Sequence, residues 1–229
     1  MDHWRGPHAR LVARTPGYAE YRQHHFTSDG QGLWPELEGV QTRIPDERRI
    51  DGVPEVTFST ALGPLLGFRQ SQKVQRDEAN AFGRTILHLT APRGGRWHGN
   101  AETVGFRTVV LLRARPSVGR VRFGTYVNDL LAPRLAGLDA LGETRSMVFL
   151  PWCRHLWNSP NVAHDYPAAH RFHGCLILGA ASRHDLVTAL ASPRLARLNA
   201  EHRRHLAAAH AYEVADTYVF LRDGRPTLP

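Results

Sequence analysis

The segments LVARTPG (residues 11–17) and LLRARPS (residues 111–117) decide the predicted fold, because both run from apolar to basic residues and then to a proline and a turn residue. Each is followed by a stretch with two aromatic residues three positions apart. A second matching pair comes later, IDGVPEVTF (residues 50–58) and FHGCLILG (residues 172–179). Matching segments in the same order indicate two diverged copies of one unit.

Each copy is predicted to follow the order β-α-β-β-α-β of a ferredoxin-like unit. In the first copy we expect a strand at residues 11–17, a helix from Pro16 to Phe26 and a last strand at residues 84–90. The helix would place Tyr18, Tyr21 and His25 on one face, since they follow a spacing of three and four residues. The last strand of the second copy is predicted at residues 216–222.

The segment APRGGRWHGN, residues 91–100, is predicted to be a linker because it is rich in turn and helix-breaking residues. We therefore expect an N-terminal ferredoxin-like half at residues 1–95 and a C-terminal half at residues 101–229. Because the two halves are already fused in one chain, the protein is predicted to be a monomeric pseudo-dimer.

Composition is typical of an ordinary globular protein, with 42% hydrophobic and 22% charged residues in 229. No apolar run approaches the roughly 20 residues of a membrane span and no secretory leader is recognised, so we expect a cytoplasmic protein without a membrane partner. Net charge is +8, but the charge is scattered and Lys73 is the only lysine. A nucleic-acid partner is therefore not predicted.

The third strand of each copy is predicted to turn titratable side chains away from its helices. Alternation along a strand puts Asp51 and Glu55 on one side of the first copy, and His173 on the corresponding side of the second. If the two sheets close on each other through these sides, polar groups line an internal cavity suited to a small molecule.

The copies differ most at residues 152–171, where the second copy has a long insertion with the aromatics Trp152 and Trp157. A loop of this length is unusual in a compact domain and is often a lid or a binding loop, although its aromatics could simply fix it to the surface. Its histidines and Cys153 match no structural zinc pattern, so no metal site is predicted.

The repeated order, DGVPEVTF in the first copy and FHG before an apolar strand in the second, resembles the EthD-like family of the dimeric α+β barrel superfamily. The resemblance implies an α+β fold in which two ferredoxin-like units join their sheets into a barrel. It also implies the activity of a cofactor-independent cyclase, isomerase, dehydratase or decarboxylase, since such barrels include these enzymes, many of them in polyketide or aromatic metabolism. Other relatives are oxygenases or bind haem.

The chain departs from the family pattern at the first helix, where an aromatic pair is usually followed by a His just before Ala-Pro. The second copy keeps Phe123, Tyr126 and Ala-Pro but has Leu131 at the position of the His. The first copy lacks Ala-Pro and offers His25 one residue early. The resemblance therefore favours the first copy as the owner of a site.

His25 is the first candidate for a general acid or base, because imidazole exchanges protons near neutral pH and Tyr21 would lie one helical turn away. The alternative is a boundary histidine of an amphipathic helix. Asp51 is the third catalytic candidate. Asp51 and Glu55 lie on the order of 13 Å apart along a strand, so each could instead pair with an arginine. The predicted substrate-binding residues are Glu55, Arg113, Tyr126, Trp152, Trp157 and His173.

The resemblance, together with the polar groups expected to face inward, implies a lyase or cyclase that dehydrates, cyclises or decarboxylates a polyketide-like or aromatic carbonyl compound without a cofactor. Two alternatives stay open: an oxygenase or haem-binding redox enzyme on the same barrel, and a small-molecule binder without catalysis.

Overall fold

The computed structural model describes residues 1–28, 32–99 and 104–227, apart from the side chain of Arg93. Within these residues the strands form one curled sheet in which every pair is antiparallel. The sheet order is β2-β1-β7-β4-β6-β5-β3, and β8 pairs with β7. The strands are β1 (Tyr18–Phe26), β2 (Gly52–Phe58), β3 (Thr90–Gly99), β4 (Phe106–Ala114), β5 (Leu141–Phe149), β6 (Gly174–Ala180), β7 (Leu206–Arg222) and β8 (Arg225–Pro226).

Helices pack on one face of this sheet. A π-helical turn (Trp4–His8) leads into α1, and another (Thr125–Leu131) joins α4 to α5. The α-helices are α1 (Ala9–Ala13), α2 (Gly63–Leu66), α3 (Phe68–Asp77), α4 (Arg120–Gly124), α5 (Ala132–Ala136), α6 (Arg183–Leu190), α7 (Pro193–Ala196) and α8 (Asn199–His205). Short 3₁₀ turns lie at Asp46–Arg48, Glu78–Asn80, Arg154–Leu156 and Ala168–His170.

The second half follows the predicted order of elements. Strand β4, helices α4 and α5, strands β5 and β6, helices α6 to α8 and strand β7 succeed one another, and the four strands lie in the order β7-β4-β6-β5. The first strand of the unit thus lies between the fourth and the third, as in a ferredoxin-like sheet. Strand β6 is buried along its whole length because helices cover one face and the curled sheet covers the other.

The first half differs from the prediction, because strand and helix are exchanged. The segment predicted as a strand contains the end of α1, and the predicted helix from Pro16 to Phe26 is strand β1. β1 pairs with β2 on one side and with β7 on the other, and these two ladders outweigh the helical spacing of its aromatics. Tyr21 and His25 share a face of this strand because they are four residues apart.

The predicted linker is also wrong, since Thr90–Gly99 is strand β3; Asn100 lies outside the described residues. β3 pairs with β5, and a register shift between Thr90 and Gly95 accommodates Pro92. β1 and β2 extend the sheet beyond β7, while β3 extends it beyond β5. The described residues of the first half therefore do not build a second ferredoxin-like sheet.

Ion pairs across the sheet demonstrate its curl. Three strands separate β1 from β5, which would hold them about 19 Å apart in a flat sheet. Yet Arg22 on β1 lies 3.8 Å from Glu143 on β5, and Glu55 on β2 lies 3.1 Å from Arg145 on β5. The helices cover the convex face, and the concave face carries an apolar centre with a charged cluster at one end.

Candidate functional site

The charged end of the concave face is assembled from five strands. Because side chains alternate along a strand, Glu20, Arg22 and His24 of β1 all point to this face. Neighbouring strands add further polar groups: Glu55 of β2, Arg107 of β4, Glu143 and Arg145 of β5, and Thr217 of β7.

Buried ion pairs hold this cluster together. Arg145 donates from Nε to Glu143 over 2.7 Å and from Nη1 to Glu55 over 3.1 Å, and Arg107 donates from Nε to Glu143 over 2.8 Å. The two carboxylates are buried, so each needs such partners to remain charged. Burial alone would raise the pKa of Glu55, but the hydrogen bond from His24 and the positive charge of Arg145 outweigh it and lower the pKa to about 2.

A hydroxyl, an imidazole and a carboxylate form a chain beside these ion pairs. Thr217 Oγ1 lies 3.1 Å from His24 Nδ1, and His24 Nε2 lies 3.4 Å from Glu55 Oε2. Since Glu55 is ionised and can only accept, Nε2 of His24 donates to it, and Nδ1, when it carries no hydrogen, accepts from the hydroxyl of Thr217. This polarity lets His24 take the proton of Thr217, while Glu55 holds the ring in place.

The hydroxyl end of this chain meets a cavity of about 460 Å³ that is partly open to solvent. His24 itself is only 1% exposed, so the cavity reaches it through Thr217. The described residues that line the cavity are Glu20, Arg22, Gly99, Val104, Arg107, Arg145, Thr217, Val219, Arg222 and Asp223. The volume is that of a site for a small molecule.

Positive charge dominates the cavity wall, because four arginines line it against two acidic residues. Of the two buried arginines in the cavity wall, Arg22 is the more loosely held: its Nη1 lies 3.8 Å from Glu143, its Nη2 donates to Glu20 over 3.3 Å, and its buried Nε has no hydrogen-bond partner within the described chain. A guanidinium that lines a cavity and is held only by long contacts is suited to an anionic ligand group.

The catalytic residues predicted on β1 lie on the opposite face of the sheet. His25 Nε2 lies 2.9 Å from Gln23 Oε1, and Gln23 donates to Tyr21 Oη. Trp4 stacks on the ring of His25 at 4.2 Å and covers this chain of hydrogen bonds. Burial lowers the pKa of His25 and raises that of Tyr21 above its ordinary range. Neither residue lines the cavity.

The structure separates the other titratable candidates. Asp51 is exposed just before β2, whereas Glu55 is buried in the charged cluster. His173 is exposed just before β6, and its Nδ1 accepts from the backbone N–H of Ala114. The expectation that Asp51 and His173 face an interior is therefore wrong, because both strands begin one residue after them.

The remaining predicted binding residues make contacts within the protein that stabilise the fold. Tyr126 is buried in the helical layer with its Oη 2.5 Å from His202 Nδ1. Arg113 donates to the carbonyl of Ala169 over 2.5 Å and thereby fixes the 152–171 loop. Trp157 donates from Nε1 to Glu78 over 2.9 Å, while the ring of Trp152 packs edge-on against Tyr166.

Sequence reasoning missed His24, Arg22 and Thr217. The signal is present in YAEYRQHHF, residues 18–26, whose alternation puts Glu20, Arg22 and His24 on one side when the segment is taken as a strand. Taken as a helix, the segment would point Arg22 away from Glu20 and His24. Thr217 could not be found in this way. It reaches His24 only because β7 pairs with β1, and the sequence of β1 does not say which strand will pair with it.

Metal ligands are not clustered in the part of the chain that the structure describes, where no group of three or more His, Cys, Asp or Glu side chains is placed to hold an ion. Cys153 is exposed and Cys175 is buried, and both are free. Across the same residues, no helix combines the length and apolar character needed to cross a membrane.

Comparison with solved structures finds a weak similarity of fold. No protein-family profile and no curated protein matches the chain, so the EthD-like resemblance stays a prediction from the sequence. A solved structure described as a "putative monooxygenase from Lactobacillus acidophilus NCFM" is similar over 100% of this chain and 94% of that chain, at 8% identity and a TM-score of 0.49. A similarity at this level does not indicate what the chain does.

Proposed function

We propose that the chain is an enzyme that moves a proton on a small anionic carbonyl compound by general acid–base catalysis. One observation carries the proposal: the chain from Glu55 through His24 to Thr217 ends at a cavity. His24 is the proton acceptor, Thr217 relays the proton because it alone of the three lines the cavity, and Glu55 orients the imidazole.

The wall of the cavity indicates the class of substrate. Arg22 would bind a carboxylate, and the arginines around Thr217 would stabilise the negative charge that develops on a carbonyl oxygen when a neighbouring carbon loses its proton. Such a proton transfer begins lyase and cyclase reactions of the kind predicted from the sequence. The polar lining favours a small organic acid over an extended aromatic polyketide.

Deuterium exchange is the direct test, because it needs only the proton transfer and not the complete reaction. We expect the protein to speed exchange at the carbon next to the carbonyl of a 2-oxo acid in D₂O, followed by proton NMR with pyruvate, 2-oxobutyrate and 2-oxoglutarate as probes. His24→Gln should lower the rate about 100-fold or more, since it removes the acceptor.

His25→Gln is the matched control, because it removes the adjacent histidine of the same strand on the opposite face. Rates are compared per folded molecule, with folding checked by circular dichroism. The proposal fails if none of the probes exchanges faster with the protein, or if His25→Gln abolishes exchange while His24→Gln leaves it unchanged.

A further inference from the structure

Four large apolar side chains are exposed on and around α2, from the residue before it to the first residue of α3. Leu62, Leu65, Leu66 and Phe68 are 65%, 74%, 63% and 63% exposed. We call them the apolar tip. They lie within seven consecutive residues, so they form one local patch rather than scattered single exposures.

The fold holds the apolar tip outward. The two glycines of this segment are buried against the start of β1, where a Cβ on Gly63 would overlap Phe58 and a Cβ on Gly67 would lie 2.6 Å from Thr15. Gly17 packs against Gly63 with φ at +86°, a conformation that favours glycine. Because the glycines occupy the inner side, the leucines and Phe68 project into solvent.

Basic residues flank the tip without acidic counterparts. Arg69, Lys73 and Arg76 are exposed along α3, and Arg10 and Arg14 are exposed on or beside α1, which packs against α3 through a hydrogen bond from Gln70 to the carbonyl of Leu11. Residues 59–76 contain no Asp or Glu, and neither do residues 9–16. The exposed charges that these two segments place beside the apolar tip are therefore all positive.

We propose that this surface docks on an anionic lipid membrane, with the apolar tip in the headgroup and acyl boundary and the basic residues on the headgroups. Such interfacial binding combines buried apolar area with attraction to acidic lipids, and it needs no spanning segment. The expected absence of a membrane partner rests on the lack of a long apolar run and of a recognised leader, and interfacial docking requires neither. A second copy of the chain fits poorly, because symmetric pairing through this patch would bring the like charges together.

Vesicle co-sedimentation tests the proposal. The intact protein should bind vesicles of phosphatidylglycerol and phosphatidylcholine, bind pure phosphatidylcholine much more weakly, and dissociate as salt is raised. Leu65→Ser with Phe68→Ser should weaken binding to the anionic vesicles about tenfold or more. Lys73→Glu with Arg76→Glu should weaken it about fivefold or more per residue changed.

Val121→Ser is the control for the apolar variant, since Val121 is 82% exposed on α4, outside the patch, and its replacement should leave binding unchanged. Two results would overturn the proposal. One is wild-type protein that stays in the supernatant with anionic vesicles at low salt. The other is a dimer, seen by light scattering, that Leu65→Ser with Phe68→Ser dissolves, because the patch would then pair two copies.

Discussion

Two adjacent histidines of β1 have opposite surroundings. His24 contacts a hydroxyl and a carboxylate in a charged cluster, and His25 lies between an indole ring and a glutamine amide under the N-terminal helix. Both are buried, so burial does not distinguish them. The groups at their ring nitrogens distinguish them. His24 contacts Thr217, which lines the cavity, whereas His25 contacts Gln23 in the interior under the N-terminal helix.

Thr217→Val tests the relay at the residue that meets the substrate. Valine keeps the shape of the side chain and removes the hydroxyl, so we expect deuterium exchange on the 2-oxo acid to fall about 100-fold. Thr217→Ser keeps the hydroxyl and should stay within about tenfold of the wild-type rate. Equal rates in the Val and Ser variants would show that the proton does not pass through Thr217.

Glu55→Gln tests the buried ion pairs. The substitution removes the charge that Arg145 and His24 face in the interior, and breaking a buried pair in this way costs about 3 kcal/mol of unfolding free energy. Urea denaturation at pH 7 measures the loss, and Glu36→Gln, which changes an exposed glutamate outside the cluster, provides the control. Equal denaturation midpoints for wild type and Glu55→Gln would contradict this role.

At the scale of elements, the second half could be predicted and the first could not. Strand β6 is a seven-residue apolar run, GCLILGA, followed by a capped helix, and its short length favours a buried strand over a helix. Strand β1 is ambiguous: the spacing of Tyr18, Tyr21 and His25 fits a helix, and the alternation of the same nine residues fits a strand. Pairing with β2 and β7 decides between them, and local sequence contains neither partner.

The candidate site could not be predicted for the same reason, because strand pairing also brings its residues together. Glu55 was predicted on the inner side of its strand and lies there, since its neighbours alternate plainly. Its partner Arg145 comes from a strand 90 residues away, and the curl of the sheet brings the two together. Long-range pairing of this kind leaves no signal in a single sequence.

Trp4→Ala tests how the N-terminal helix is attached to the sheet. Trp4 is buried, stacks on His25 and meets the edge of Phe82. Its removal should lower the unfolding free energy by about 3–5 kcal/mol, measured by urea denaturation. Trp97 on β3 is 49% exposed. Trp97→Ala should therefore lower the unfolding free energy by well under half of the loss expected for Trp4→Ala. Similar losses for both variants would contradict the packing described for Trp4.

At the scale of the whole molecule, buried neutral histidines make stability depend on pH. Burial lowers the pKa of His88, His202 and His210 to about 4, with the charges of Arg48 and Arg113 adding to the effect at His210. In the unfolded chain these groups take up protons near pH 6.5, earlier than in the folded state. Their contribution is therefore complete above pH 6.5 and is lost as pH falls from 6.5 towards 4.

Urea denaturation between pH 7.5 and 4 measures this loss. We expect the midpoint to fall steadily across the window, and His210→Phe, which cannot take up a proton, should make the fall shallower. A denaturation midpoint that is independent of pH between 6.5 and 4.5 would mean that these histidines have the same pKa in the folded protein as in the unfolded chain.

A crystal structure with a bound 2-oxo acid tests the central claim most directly, using the probe with the fastest exchange. We expect the carboxylate of the ligand at Arg22 and the carbon next to its carbonyl, which loses the proton, beside the hydroxyl of Thr217, inside the curl of the sheet. Ligand bound under the N-terminal helix next to His25, with the charged cavity empty, would contradict it.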